Sequence, residues 1–237
     1  MRRPSALLRL ASTVLATLTW AGEARAVEDD APVEPPPPPA WGFRGPYSLR
    51  LGAALGIGAR LDDPPGFLLA RRAGLLGEVE VELGVSRRVG FALVYTRSSL
   101  GREEALLEGA VLAVDRRLDA GWLPLRLRLV EVDAASLLVD VAPGVAWQHA
   151  SLSGELLSPT TPGAEPIPFR CSATGAGFGF RVGAGGEVRV TDALRLGASL
   201  SIDNLRFSSD VIGDCVPGAG ASSVFGARLG LRYRFDL

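Results

Sequence analysis

The chain has 237 residues, 47 % of them hydrophobic, with 25 basic residues against 26 acidic ones, and every basic residue is arginine. That balance, with no basic stripe carrying interleaved aromatics, excludes a nucleic-acid partner. No run of about 18 apolar residues follows residue 26, which excludes a helical membrane protein.

In chain order, Arg2 and Arg3 open a basic region that reaches Arg9. Leu10 to Trp20 form an apolar run too short to span a bilayer as a helix, and Ala24-Arg25-Ala26 follows as a small-residue cleavage site. These features predict a signal peptide over residues 1–26, exported through the Sec pathway, with Val27 as the mature N-terminus. Losing it removes four arginines and one glutamate and leaves a net charge of −4. Residues 27–45 contain five consecutive prolines, Pro35 to Pro39, which predict an extended, disordered periplasmic lead.

Residues 46–237 repeat one pattern. From Tyr47 to Arg60, Leu49, Leu51, Ala53, Leu55 and Ile57 share one face, while Arg50 and glycines share the other. Near Leu76 to Ser86, Val79, Val81, Leu83 and Val85 oppose Glu78, Glu80 and Glu82. Three glutamates in register are untenable against an apolar core, and sensible in a polar lumen facing arginines. A third strand presents Val89, Phe91, Leu93 and Tyr95 outward. The fourth is placed at Gly121 to Val130, where Leu123, Leu125, Leu127 and Leu129 alternate with Pro124, Arg126 and Arg128. Pro124 there demands a bulge or an end position. This placement leaves 98–120 as a long loop, although Leu106 to Val114 is apolar enough for a strand or helix.

The fifth strand turns Leu137, Val139, Val141, Val145 and Trp147 outward, with Asp140, Gly144 and Gln148 inward. The sixth, Gly175 to Val190, sets Phe178, Phe180, Val182, Ala184 and Val188 against Arg181, Glu187, Arg189 and glycines. After a Thr191-Asp192-Ala193 turn, the seventh opposes Leu194, Leu196, Leu200 and Ile202 to Arg195 and Asp203. In the last, from Ser223, Phe225, Leu229, Leu231, Tyr233, Phe235 and Leu237 face Arg228, Arg232, Arg234 and Asp236.

Links after strands two, four and six are short; those after one, three, five and seven are long, at 61–73, 98–120, 149–174 and 204–221. Short periplasmic turns, longer outer loops and an even strand number predict an all-β protein, an eight-stranded antiparallel transmembrane β-barrel. So small a barrel holds only its own side chains. The predicted filling pairs Arg50, Arg126, Arg128, Arg181, Arg189, Arg195, Arg228, Arg232 and Arg234 with Glu78, Glu80, Glu82, Asp140, Glu187, Asp203 and Asp236. The alternative use of that lining is a narrow, porin-like solute channel.

Cys171, at the start of the sixth strand, and Cys215, in the loop after the seventh, fall at the same outer rim, so an exported chain is expected to join them as a disulfide. His149 is the one histidine, too few soft ligands for a zinc site, and no cofactor is expected. Gly175-Ala176-Gly177-Phe178-Gly179 alternates within a strand with no helix after it, so it is not a nucleotide loop.

The alternating strands, the signal peptide and the terminal Tyr233-Arg234-Phe235-Asp236-Leu237 resemble the small eight-stranded outer-membrane barrels, the broad family of the OmpA transmembrane domain and OmpX. The resemblance implies a bacterial outer-membrane location, contact with outer-membrane lipid and lipopolysaccharide, and handling of the last strand by the barrel-assembly machinery. That machinery reads a terminal phenylalanine in the family; here Leu237 stands there, with Phe235 and Tyr233 on the same face. His149-Ala150-Ser151 is similar to the His-x-Ser arrangement of the PagL lipid A deacylases, which would imply Ser151 as nucleophile and His149 as base. The nearby acids, Glu155 and Glu165, lie in what reads as loop, so no third member is evident. The expectation is a non-enzymatic barrel, with a structural or ligand-contacting role through its outer loops and the ligand unassigned.

Overall fold

The computed structural model describes residues 47–62, 68–70, 73–107, 110–132, 134–156, 165–208, 211–212, 216–217 and 220–236. The predicted signal peptide and proline-rich lead, together with Cys215 and Leu237, lie outside the described residues. The strands are β1 (Ser48–Arg60), β2 (Leu68–Ala70), β3 (Ala73–Gly84), β4 (Val89–Leu107), β5 (Ala110–Trp122), β6 (Leu125–Glu131), β7 (Ala135–Leu156), β8 (Ile167–Arg189), β9 (Leu194–Phe207), β10 (Val211–Ile212), β11 (Val216–Pro217) and β12 (Ala221–Asp236).

All neighbouring pairs are antiparallel, and they close on themselves. β1 pairs with β3, β3 with β4, β4 with both β5 and β6, and these two with β7; β7, β8, β9 and β12 follow, and β12 returns to β1. β5 and β6 lie end to end as one stave, so the ring has eight. The closing register runs from Leu49↔Phe235 through Leu55↔Leu229 to Arg60↔Val224. Closure matters because an open sheet edge would leave unpaired N–H and C=O groups where no water can reach them.

The fourth stave departs from the sequence reading. It is not the single strand 121–130 but two strands interrupted at Leu123-Pro124, since proline has no N–H for the ladder. The break stays anchored: Leu123 N–H donates to Pro143 O at 3.0 Å, and Ala92 N–H donates to Pro124 O at 3.0 Å. Most of the expected loop 98–120 is strand, β4 running on to Leu107 and β5 starting at Ala110. The expected loop 149–174 is likewise mostly strand, belonging to β7 and β8.

These extensions were hidden because the alternation changes sense. Around the short-turn end the outward residues are apolar: Leu55 is 75 % exposed, Phe178 67 % and Leu93 60 %. Around the other end the outward residues include Arg97, Arg102, Asp115, Arg117, Ser172 and Arg206, with Leu106 and Val111 as apolar exceptions, and most apolar side chains face in. Leu112, Val114 and Trp122 there are completely buried, packed with Leu100, Leu152, Leu205, Phe207 and Val224. On β7 the outward apolar row runs from Leu137 to Trp147. Ten steps of roughly 3.4 Å, tilted by roughly 40°, climb about 26 Å, the height of a transmembrane band. The barrel is therefore lined with charge and wrapped in apolar side chains over that band, and the reverse above it.

A bulge accompanies the change on β4. The register slips between Ser99 and Arg102, and Gly101 sits at φ 78°, a conformation that L side chains rarely adopt. Leu100 faces in before the bulge, and Glu103 and Ala105 face in after it.

Candidate functional site

Two groups of side chains carry the chemistry, one inside the band and one on the outer wall just above it. The inner group is built on β3. Glu78, Glu80 and Glu82 alternate inward, opposite Ala54, Gly52 and Arg50 of β1, and arginines reach them from across the lumen. Arg126 reaches both Glu80, at 2.9 Å, and Glu82. Arg128 and Arg50 also close on Glu82, the latter at 3.4 Å. Arg232 from the last strand bridges Glu80 and Glu187. Arg181 grips Asp203 with two donors, at 2.7 and 2.8 Å, and Glu78 with a third at 3.1 Å. Arg228 joins Glu78 at 3.1 Å and donates to Ser201 Oγ at 2.8 Å. Arg195 stands 3.8 Å from both Glu187 and Glu131, and Asp140 lies 3.9 Å from Arg126.

Such pairing is what burial requires. A charge removed from water is tolerated only when hydrogen-bonded and opposed, and each acid here meets at least one guanidinium. Between the described side chains lie cavities of about 20 Å³, room for about one water apiece. Above them the Arg181 guanidinium lies 4.6 Å over the Trp122 ring, and the Trp122 indole donates to Thr96 Oγ1 at 3.2 Å. Above that layer the inside is mainly apolar, with Arg60, Ser98, Glu103, Arg116, Gln148 and Ser222 buried among the described residues, and Arg116 Nε donates to Glu103 at 2.7 Å.

One of the expected lumen residues differs. Arg189 is exposed at the end of β8, 3.8 Å from Asp192 across the turn, because the wall no longer encloses that position. Arg234 is half-buried at the lower mouth, and the side chain of Asp236 lies outside the described residues.

The outer group centres on Asp119 of β5, within the expected loop 98–120. Tyr95 donates its hydroxyl to Asp119 at 2.6 Å, Arg117 Nε donates at 2.9 Å, and Arg97 stands 3.7 Å away. His149 Nε2 lies 3.6 Å from the same carboxylate, and His149 Nδ1 is 2.8 Å from Thr174 Oγ1. Both ring nitrogens thus face partners other than Ser151, whose hydroxyl makes no hydrogen bond among the described residues. The acid near His149 is Asp119; Glu155 and Glu165 are both exposed and unconnected to it. A signal for Asp119 was present: in 111–122 the even positions carry Leu112, Val114, Leu118, Ala120 and Trp122, so the odd ones, Asp119 included, belong to the opposite face.

Beside this cluster a shallow groove runs across β4, β5, β7 and β8, bordered by Arg102, Asp115, Arg117, His149, Ser151, Ser172 and Thr174. Cys171 is half-buried against the inner apolar cluster, and among the described residues no cysteine is free. No group of three or more metal-ligating side chains occurs among the described residues.

No protein-family model matches the chain, and no curated protein matches it. Among solved structures it is similar to Ail, the attachment invasion locus protein of Yersinia pestis, at 15 % identity over 80 % of this chain and 99 % of that one, with a TM-score of 0.45. Neisserial surface protein A aligns at 13 % identity over 80 % and 97 %, with a TM-score of 0.46. The outer-membrane protease OmpT of Escherichia coli aligns at 9 % identity over 80 % and 97 %, with a TM-score of 0.42. These proteins include a protease, and likeness at this level decides nothing about activity. The closed ring itself, with eight staves, a charged lumen and an apolar band about 26 Å high, is the architecture of a bacterial outer-membrane β-barrel.

Proposed function

We propose that the protein is a non-enzymatic, non-conducting outer-membrane barrel that acts through its outer surface, in contact with outer-membrane lipid and lipopolysaccharide. The observation that carries this reading is the placement of Arg126 between Glu80 and Glu82, tied to Arg128, Arg50 and Arg232 in one ion-paired plug. Opening a path would mean separating several buried pairs together, each left with an uncompensated charge. On the outer wall, Ser151 is not hydrogen-bonded to His149, the coupling that nucleophilic catalysis would use. Export by the predicted signal peptide, and capture of the last strand by the barrel-assembly machinery through outward Tyr233 and Phe235, complete the reading.

The test is conductance in a planar lipid bilayer, on protein first shown to change gel mobility on boiling. The expected result is a mobility shift with no stepwise current. Stable current steps would replace this reading with the narrow channel. Loss of acyl chains from lipid A on incubation with the folded protein would replace it with an enzyme.

A further inference from the structure

We propose that the groove above the apolar band seats the phosphorylated sugar headgroup of an outer-leaflet lipid. The inference deepens the surface role proposed above and rests on it for the orientation of the barrel.

Height is the first argument. Trp147 and Tyr95 are the last outward aromatics of the band on β7 and β4. The next outward positions are His149 and Ser151 on β7, with Thr174 and Ser172 directly across on β8. These are the first polar tiers outside the hydrocarbon, where lipid headgroups lie.

Chemistry is the second. Arg102 is exposed and has no partner among the described residues; the bulge at Gly101 turns it outward. Arg117 uses its Nε on Asp119, and its side chain is 44 % exposed. Two guanidiniums on one wall suit a phosphate, which they bind through paired donors. Ser151 and Ser172 carry hydroxyls with no described partner, and Asp115 offers an acceptor beside them. Hydroxyls and a carboxylate next to two cations match a phosphorylated sugar better than a bare anion, which Asp115 would repel. Asp119 is already neutralised by Arg117 and Arg97. An acyl chain attached to such a headgroup would run down the band past Trp147 and Tyr95.

The experiment titrates the full-length protein in detergent micelles with purified lipopolysaccharide, with the same material after enzymatic removal of its phosphates, and with its soluble phosphorylated core oligosaccharide. Arg102→Gln and Arg117→Gln are each expected to weaken lipopolysaccharide binding about tenfold, the loss of one charge-assisted contact. Dephosphorylation should weaken the unaltered protein more than either substitution does, and weaken Arg102→Gln less, since only Arg117 is left there to lose the phosphate. Arg189→Gln, at the opposite end of the barrel, should bind as the unaltered protein does. Gel mobility with and without boiling certifies that each variant is folded.

Binding indifferent to both arginines, or to phosphate, overturns the proposal. Equal affinity for the soluble oligosaccharide overturns the lipid assignment and makes the ligand an extracellular saccharide. A conducting barrel that still binds lipopolysaccharide through Arg102 would sink the non-conducting reading and leave this one standing.

Discussion

The guanidinium of Arg181 rests 4.6 Å above the ring of Trp122, and the pair marks the level at which the inside of the barrel changes from charged to apolar. Below it Arg181 joins Asp203 and Glu78, while Trp122 belongs to the apolar cluster that includes Val94, Ala120 and Ala146. A cation over an indole face is attractive in its own right, by about 2 kcal/mol when both are desolvated.

Trp122→Ala is therefore expected to destabilise the folded barrel by about 3–5 kcal/mol from the lost core volume alone. Trp122→Phe keeps a ring under Arg181 but leaves Thr96 without its indole donor, and should cost less. Urea unfolding in lipid vesicles, followed by the gel-mobility change, checks the order of the two.

Glu82 is the hub of the plug, touched by Arg50, Arg126 and Arg128. Glu82→Gln is expected to destabilise by about 3–5 kcal/mol, because buried cations lose their counter-charge. Adding Arg128→Met to that variant should restore part of the loss. Equal midpoints for the single and double variants would show that the pairs are not coupled.

The change in outward polarity predicts contrasting effects along one face of β9. Leu200→Arg places a charge in the lipid band and should cost about 2–4 kcal/mol. Asn204→Arg, on the same face above the band, should cost little. A comparable loss at both positions would mean that the band reaches higher than the aromatics indicate.

Gly74 faces the β4 bulge so closely that a Cβ would lie 1.4 Å from the Ser99 carbonyl oxygen. Gly77 has only Leu55 Cδ2 nearby, at 3.9 Å. Gly74→Ala should reduce the yield of folded barrel severely while Gly77→Ala folds normally, as read by the fraction shifted on gels.

The expected Cys171–Cys215 bridge has its own check. Under denaturing, non-reducing conditions the protein should not react with a maleimide, and reduction should lower stability by roughly 2–4 kcal/mol. Two reactive thiols would remove the bridge.

Within the band, the sequence was legible. Strict alternation of Val79, Val81 and Leu83 with Glu78, Glu80 and Glu82 has one physical solution, a wall with lipid on one side and arginines on the other. Above the band the same period persists with the faces exchanged, so Leu112, Val114 and Leu118 read as an ambiguous apolar run. The bulge at Gly101 then breaks the count, and Leu100, Glu103 and Ala105 share a face that no even spacing predicts. Asp119 was lost with that stretch, and with it the surroundings of His149. Arg189 failed for a different reason: parity says which side a residue faces, but not where the wall ends.

The last strand also dictates an order of events. Arg228 and Arg232 of β12 neutralise Glu78 and Glu80 of β3, and β12 closes the ring on β1. Without β12, Glu78 keeps only Arg181 and Glu80 only Arg126, and the sheet has two raw edges, a state that hydrocarbon rejects. The wall is whole, and its inner charges fully matched, only once the first and last staves have met.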